Sequence, residues 1–220
     1  GKEAILETML YLAPQYPLST TIRYCRNAAR GIVSAVREKR VDMLIMGWHG
    51  RRPTAGFLMG SMVDPIVETA PCHVIMLKNC GGNQQFKRVL VPLAGGPNSA
   101  LALEMAGILA DREEGEITAY TVASLKHTFD VHDFVALHRD RINLPDKRIH
   151  CEAGQGKDVV RAILQKSEHY DLVVLGSTGE SVLRKMAHVP IPETIARRCN
   201  TPLVMCRAAA GIRSWLKRYF

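Results

Sequence analysis

The sequence lacks the features that mark a membrane-spanning or exported protein. Its 220 residues contain no uninterrupted apolar run of about 18 residues, the length that suggests a transmembrane helix. Residues 1–4 lead into a periodic apolar stretch that includes acidic and polar residues, which is unlike a secretory signal. With 47% hydrophobic and 23% charged residues, the composition is that of an ordinary globular protein. We therefore expect a cytoplasmic protein that does not itself cross a membrane.

Motifs that carry common enzyme chemistry are also missing. The sequence shows no Ser/His/Asp order, H-E-x-x-H, Walker A or paired-carboxylate pattern. Asp42 and Asp171 precede apolar runs at equivalent places, where capping or strand entry explains them better than catalysis. We predict no catalytic residues and a protein that is not an enzyme. Hydrolysis of ATP, or adenylation of a substrate, stays as an alternative because related α/β folds perform it.

Neither a disulfide framework nor a metal site is predicted. The six cysteines form no C-x-x-C pair, and most sit among apolar residues, where a free thiol behaves as a small hydrophobe. We expect all six to be reduced. His127, His132 and His138 fall within one segment, but they do not share a helix face and no further ligand completes a tetrahedral set.

A repeat dominates what the sequence does contain. Residues 41–50, VDMLIMGWHG, recur as residues 170–179, YDLVVLGSTG, a shift of 129 positions. Each copy has an acidic residue, a four-residue apolar run and a pair of glycines. Continuous apolar runs of this kind suit strands that are buried on both faces, as in a parallel sheet covered by helices.

Strand and helix patterns alternate along both copies. Strands are predicted near residues 19–24, 42–47, 73–77, 88–93, 116–122, 148–152, 171–176 and 202–206, and helices near 3–12, 62–69 and 98–110. The predicted fold is α/β, with two tandem doubly wound parallel-sheet units and helices on both faces of each sheet. The first copy has no counterpart of the strand, helix and strand that open the second. We therefore expect a first unit truncated at its N-terminus, and Gly1 is not expected to begin the natural polypeptide.

Composition sets the expected boundaries. The first unit is predicted over residues 1–79, a glycine-rich linker over 80–86, the second unit over 87–208 and a basic, aromatic tail over 209–220. So short a linker predicts units packed side by side as a pseudo-dimer. The tail has the composition of an interfacial helix, although packing on its own domain explains it equally well.

The most specific pattern follows the first repeated strand. Gly47 and Gly50 are followed, nine residues later, by Gly60 and Ser61. Glycines at a strand end permit positive φ and bring backbone N–H groups close to an anion. A helix that begins near residue 62 would add its free N–H groups and its dipole. We therefore predict an anion site in this loop, which we call the first glycine loop.

This pattern resembles the signature of the universal stress protein family, in particular its ATP-binding branch: Gly, two residues, Gly, nine residues, Gly, then Ser or Thr. The resemblance covers almost the whole chain twice. It implies the fold of the adenine-nucleotide alpha-hydrolases and ATP, or a related adenine nucleotide, as ligand. In the first copy we expect a vestigial or conditional site, because the opening strand and loop that would hold adenine and ribose are missing there. The residues implied for binding are Gly47, Trp48, His49, Gly50, Gly60, Ser61 and Met62.

The second copy departs from the signature. Val189 stands at the position of Gly60 and Pro190 at that of Ser61. Valine resists the backbone geometry that glycine allows, and proline removes a donor. Ala94 also replaces the Asp usual in the family's opening loop. The second site is therefore predicted to be inactive as a triphosphate cradle.

The formal charge of +8 favours an anionic partner, such as a nucleotide, a nucleic acid or an acidic lipid surface. The tandem arrangement resembles cytosolic C-terminal domains of transporters of the amino-acid permease and cation-chloride cotransporter superfamily. We expect a regulatory module that dimerises, contacts the transmembrane domain of its own polypeptide at the cytosolic face of a membrane, and binds no nucleic acid. The alternatives are a stand-alone tandem stress protein that binds ATP and a purely structural dimerisation module.

Overall fold

One seven-stranded sheet organises the part of the protein that the structure describes. The computed structural model describes residues 14, 16–49, 59–81, 85–123, 129–178 and 190–209. The strands are β1 (Met43–Gly47), β2 (His73–Lys78), β3 (Arg88–Pro92), β4 (Glu116–Ala123), β5 (Ile149–Gln155), β6 (Leu172–Gly176) and β7 (Leu203–Arg207). Their order across the sheet is β1-β2-β7-β6-β3-β4-β5.

Six α-helices and two 3-10 turns connect these strands within the described ranges. The helices are α1 (Ala28–Glu38), α2 (Val63–Thr69), α3 (Gly96–Arg112), α4 (Val131–Leu137), α5 (Val159–Ser167) and α6 (Ile191–Arg198), and the 3-10 turns are Arg139–Arg141 and Asp146–Arg148. Two helix starts follow directly from the sequence. Asn27 accepts from the amide of Arg30 at 3.0 Å, and Asp158 accepts from the amide of Arg161 at 3.0 Å. Such side-chain caps satisfy amides that lack an intrahelical partner.

The second unit has the predicted architecture. Strands β7, β6, β3, β4 and β5 lie side by side and pair in parallel throughout. The strand order reverses between β3 and β6, which is the topological switch of a doubly wound sheet. The α/β class and the mainly parallel pairing are thus confirmed.

The prediction of two separate sheets is wrong. Strands β1 and β2 pair in parallel, but β2 then pairs antiparallel with β7, so both units share one sheet. We call the β2–β7 pair the seam. Both strands are largely buried and apolar. Leaving their edges unpaired would have exposed backbone groups in an apolar setting, which pairing avoids.

The predicted strand at residues 19–24 is also wrong. This segment has no regular structure and is exposed: Ile22 is 66% exposed and Tyr24 fully so. Its counterpart in the second unit is β5, whose sheet partner is β4. No described strand of the first unit corresponds to β4, so residues 19–24 have nothing to pair with. The helix predicted near residues 3–12 lies outside the described residues.

Apolar side chains fill both faces of the sheet and cross the seam. On one face Ile66, Val74 and Met76 of the first unit share a buried cluster with Leu175 and Met205 of the second. The six cysteines are free, and burial raises the pKa of Cys206 to about 12, which keeps that thiol protonated and unreactive. Across the described ranges, no helix combines the length and apolar character needed to cross a membrane.

Candidate functional site

The first glycine loop begins where β1 ends. The amide of Trp48 donates to the carbonyl of Leu77 at 2.7 Å, which continues the sheet by one residue beyond Gly47. The Trp48 side chain is 5% exposed, and its indole Nε1 donates to the carbonyl of Met59 at 2.9 Å. Trp48 therefore links the start of the loop to its end and has a structural role there. Gly50 lies outside the described residues.

A buried carboxylate holds the far end of the loop. The amide of Met59 lies 3.1 and 3.2 Å from the two carboxylate oxygens of Asp64, a residue that is 5% exposed. The carbonyl of Gly60 accepts from the amide of Asp64 at 3.1 Å. Gly60 has φ of +125°, a conformation that L side chains rarely adopt. This glycine is required by the backbone itself.

Helix α2 starts one residue later than predicted, at Val63, and Ser61 does not cap it. Met62 is the N-cap, with helical backbone angles and no side-chain cap hydrogen bond. Asp64 in the first turn supplies the negative charge that favours a helix N-terminus. His49, Ser61 and Met62 are exposed around the loop end. Of the predicted binding residues, these three are placed where a ligand could reach their side chains.

In the second unit, different residues make equivalent hydrogen bonds at the end of β6. Ser177 donates its amide to the carbonyl of Cys206 at 2.8 Å, as Trp48 does to Leu77. The amide and hydroxyl of Thr178 donate to Glu193 Oε1 at 3.3 and 2.9 Å, and Glu193 is 1% exposed. Val189 lies outside the described residues.

The two buried acids were missed from the sequence. Asp64 and Glu193 are 129 positions apart, the same shift that relates the two copies. Each holds a loop amide from the first turn of the following helix. The repeat spacing was the signal that could have found them.

The end of β6 is covered by the opening loop of the second unit. Gly95 and Gly96 have φ of +86° and +79°, and α3 begins directly there. Asn98 donates its Nδ2 to the carbonyl of Ser177 at 2.7 Å, and its Oδ1 accepts from the amide of Ala208 at 2.7 Å. Ala94, which replaces the expected Asp, is exposed.

Two cations cross the seam, and the sequence reading missed them as well. Lys78 of β2 is buried, and its Nζ donates to the carbonyls of Ala196 and Cys199 at 2.8 and 2.7 Å, at the end of α6. Arg207 of β7 donates its Nη1 to the carbonyls of Ala70 and Cys72 at 2.8 and 3.1 Å, just beyond the end of α2. Each unit therefore contributes a cation to the C-terminal end of the other unit's helix, where positive charge is favourable.

Burial lowers the pKa of Lys78, because the ammonium is removed from water. The carbonyl oxygens of Ala196, Arg197 and Cys199 accept hydrogen bonds from Nζ and replace part of the hydration that burial removes. Lys78 Nζ also lies 5.9 Å from the centroid of the Trp48 ring. Lys78 at the seam is therefore adjacent to Trp48, which holds the first glycine loop in place.

Asp171 has the strand-entry role expected from the sequence. Its carboxylate accepts from the Arg88 amide at 2.9 Å and from Arg88 Nη2 at 2.8 Å, which joins the starts of β6 and β3. Among the residues that the structure describes, no group of three or more His, Cys, Asp or Glu side chains is arranged to hold a metal ion.

Comparison with known proteins agrees with this architecture. The model of the universal stress protein family matches residues 2–78 and 85–207. The Na⁺/H⁺ antiporter NhaS5 of Synechocystis is 24% identical over 196 residues, which cover 84% of this chain and 27% of the antiporter. A universal stress protein of Mycobacterium tuberculosis is 26% identical over 182 residues, which cover 76% of this chain and 62% of that protein.

Among solved structures, a universal stress protein from Archaeoglobus fulgidus superposes with a TM-score of 0.69 at 20% identity, over 94% of this chain and 76% of that one. At this identity the likeness shows the fold alone. The chain spans less than two thirds of the length of both curated relatives. Since the family match covers both units, the chain belongs to the universal stress protein family.

Proposed function

We propose that the protein is a regulatory, non-catalytic module whose first glycine loop binds an adenine nucleotide of the ATP type. The observation that carries the proposal is the end of β1, which no described residue covers. A Cβ built on Gly47 meets no described atom within 4 Å. No described residue accepts a hydrogen bond from the amides of Ser61, Met62 or Val63. Amides that have no described acceptor, at a strand end with no described atom close by, are suited to a phosphate.

The geometry also restricts how a phosphate would bind. Asp64 already accepts from the Met59 amide, and its negative charge opposes a second anion at that point. A phosphate would therefore contact the amides of Ser61 and Met62, the Ser61 hydroxyl and His49, on the exposed side of the loop. Trp48 would support the loop and would not touch the ligand.

The second unit is proposed to leave its loop empty. Its opening helix lies directly on the strand end, because a Cβ on Gly176 would come within 2.7 Å of the Asn98 carbonyl carbon. Pro190 is the N-cap of α6 and has no amide proton to offer. Both features support the proposal of a single ligand site, in the first unit.

The regulatory part of the proposal rests on the relatives and on charge. The antiporter relative matches this chain over 27% of its own length, which fits a module within a larger transporter. We propose that the transmembrane part of such a polypeptide, an anionic membrane surface and a second copy are the partners. A formal charge of +8 suits the anionic cytosolic face of a membrane.

A structural dimerisation module without ligand is the second candidate. The observation that favours it is Asp64, whose carboxylate takes up a loop amide that could otherwise hold an anion. The antiparallel seam shows that units of this fold can join through their last strands within one chain.

The test is mass spectrometry of small molecules released when the purified protein is denatured. We expect an adenine nucleotide from the wild type and at least about tenfold less from Gly60→Val, since a loss of about 1.4 kcal/mol lowers affinity tenfold. The matched control is Gly81→Val, because a Cβ there meets no described atom within 4 Å and its φ is not positive. Release of no nucleotide from any variant would favour the structural module. Steady-state ATP turnover that is lost in Gly60→Val would contradict the non-catalytic assignment.

A further inference from the structure

The seam cations occupy equivalent positions in the two units. Lys78 and Arg207 are 129 positions apart, and so are two of the residues whose carbonyls they contact, Cys199 for Lys78 and Ala70 for Arg207. The contacts are therefore reciprocal about the seam. A chance surface contact would not be expected to repeat at the same shift on both sides.

The second glycine loop is the segment that follows β6 and begins with Ser177 and Thr178. A continuous path leads from it to the first glycine loop through Lys78. Thr178 in the second loop donates to Glu193 of α6, and the other end of α6 accepts from Lys78. Lys78 follows Leu77, whose carbonyl holds the Trp48 amide, and its Nζ faces the Trp48 ring. Each step is a hydrogen bond, a rigid helix or a direct ring contact.

A second path leads from the first loop to the second through Arg207. Met59 donates to Asp64 of α2, and the carbonyls beyond α2 accept from Arg207. The next residue, Ala208, donates to Asn98, which in turn donates to the carbonyl of Ser177 in the second loop. Each loop is thus connected to the other by way of a helix and one cation.

We propose that the two glycine loops are energetically coupled across the seam, with Lys78 and Arg207 as the positioning residues that connect them. A change that loosens one loop releases its acid, shifts the helix that carries that acid and changes how the cation from the other unit is held. The regulatory consequence, that ligand on the first loop alters the second unit, rests on the proposed function. The coupling itself requires no ligand.

The test uses Trp48 as an internal probe. The protein has two tryptophans, and Trp215→Phe leaves Trp48 as the only one, which is excited at a wavelength that tyrosine does not absorb. The perturbation is Glu193→Gln in the second unit, and the measurement is acrylamide quenching of Trp48 emission without nucleotide. Glu168→Gln, at the exposed C-terminal end of α5, is the control.

We expect Glu193→Gln to raise the quenching constant of Trp48 about twofold or more when Lys78 is present, because connected residues commonly couple. In a Lys78→Met background the same change should have little effect, and Lys78→Arg should restore the response. A merely structural role of Lys78 would shift both backgrounds by the same factor. An equal response with Lys78 and with Lys78→Met, or no response in either, would overturn the coupling.

The path through Arg207 provides a second test, which can be used if Lys78→Met does not fold. Asp64→Asn is introduced in the first unit, and hydrogen exchange of the Ser177 amide is measured in the second. We expect exchange about threefold faster with Arg207 present and no change in an Arg207→Met background. Equal acceleration in both would also refute the proposal. Both measurements omit nucleotide, so a protein that binds none still gives a clear result.

Discussion

The ends of β1 and β6 carry the same sequence motif in two different settings. In the second unit the first turn of α3 lies on Gly176, where an added Cβ would come within 2.7 to 2.9 Å of backbone atoms of Asn98 and Ser99. In the first unit a Cβ on the equivalent Gly47 meets no described atom within 4 Å. Gly176 is therefore required for packing, whereas no described residue restricts the side chain at position 47. One motif can thus serve structure in one copy and remain available for binding in the other.

The largest expected effect comes from substituting these two glycines. Gly176→Ala should destabilise the protein by about 3 kcal/mol, since the clashing atoms are backbone and cannot move aside easily. Gly47→Ala should change stability by less than about 0.5 kcal/mol, as at a site without close neighbours. Urea unfolding of both variants measures the difference. Similar losses of unfolding free energy in the two variants would show that other residues pack against Gly47 in solution.

The seam cations provide the next comparison. Lys78→Met should cost about 2 kcal/mol, because it leaves buried carbonyls at the end of α6 without a donor. Arg207→Met should cost about 1 kcal/mol, since Arg207 is only partly buried and water can replace part of its contacts. The free energy of unfolding of each variant is the measurement. A greater loss of unfolding free energy in Arg207→Met than in Lys78→Met would contradict the expectation that Lys78 contributes more to stability.

The smallest expected effect concerns acid stability. Burial would raise the pKa of the Asp171 carboxyl, but hydrogen bonds from Arg88 outweigh it and hold the pKa below the ordinary value of 3.8. The ionised carboxylate therefore stabilises the fold above that value, and this stabilisation is lost as pH falls through the lower, folded-state pKa. We expect Asp171→Asn to flatten the fall in stability below about pH 4.

Unfolding curves of the wild type and of Asp171→Asn, recorded at a series of acidic pH values, measure this difference. Identical slopes for the wild type and Asp171→Asn would contradict the role assigned to the Arg88 pair.

Local pattern was enough to predict most of the architecture. The apolar runs that became β1, β2, β6 and β7 were found within a residue or two, because buried parallel strands have a strong hydrophobic signal. Residues 19–24 have the composition of a strand but no neighbour, and a strand exists only with a partner. Pairing across the seam depends on how two units meet, which periodicity does not encode.

The candidate site was only partly predictable for a related reason. Gly60 could be identified because its backbone conformation is restricted almost to glycine. Asp64, Lys78 and Arg207 act through contacts with residues that are distant in sequence or on another element, and their residue types are ordinary for a helix start or a strand end. Comparing the two copies position by position would have revealed all three.

Calorimetric titration with ATP tests most directly the claim that the chain has one ligand site, in the first loop. Gly60→Val changes the first loop, and Gly179→Val changes the second repeat at the counterpart of Gly50. We predict binding to the wild type and to Gly179→Val, with affinity at least about tenfold weaker in Gly60→Val. Binding that survives Gly60→Val and is lost in Gly179→Val, or no binding to the wild type, would contradict the account.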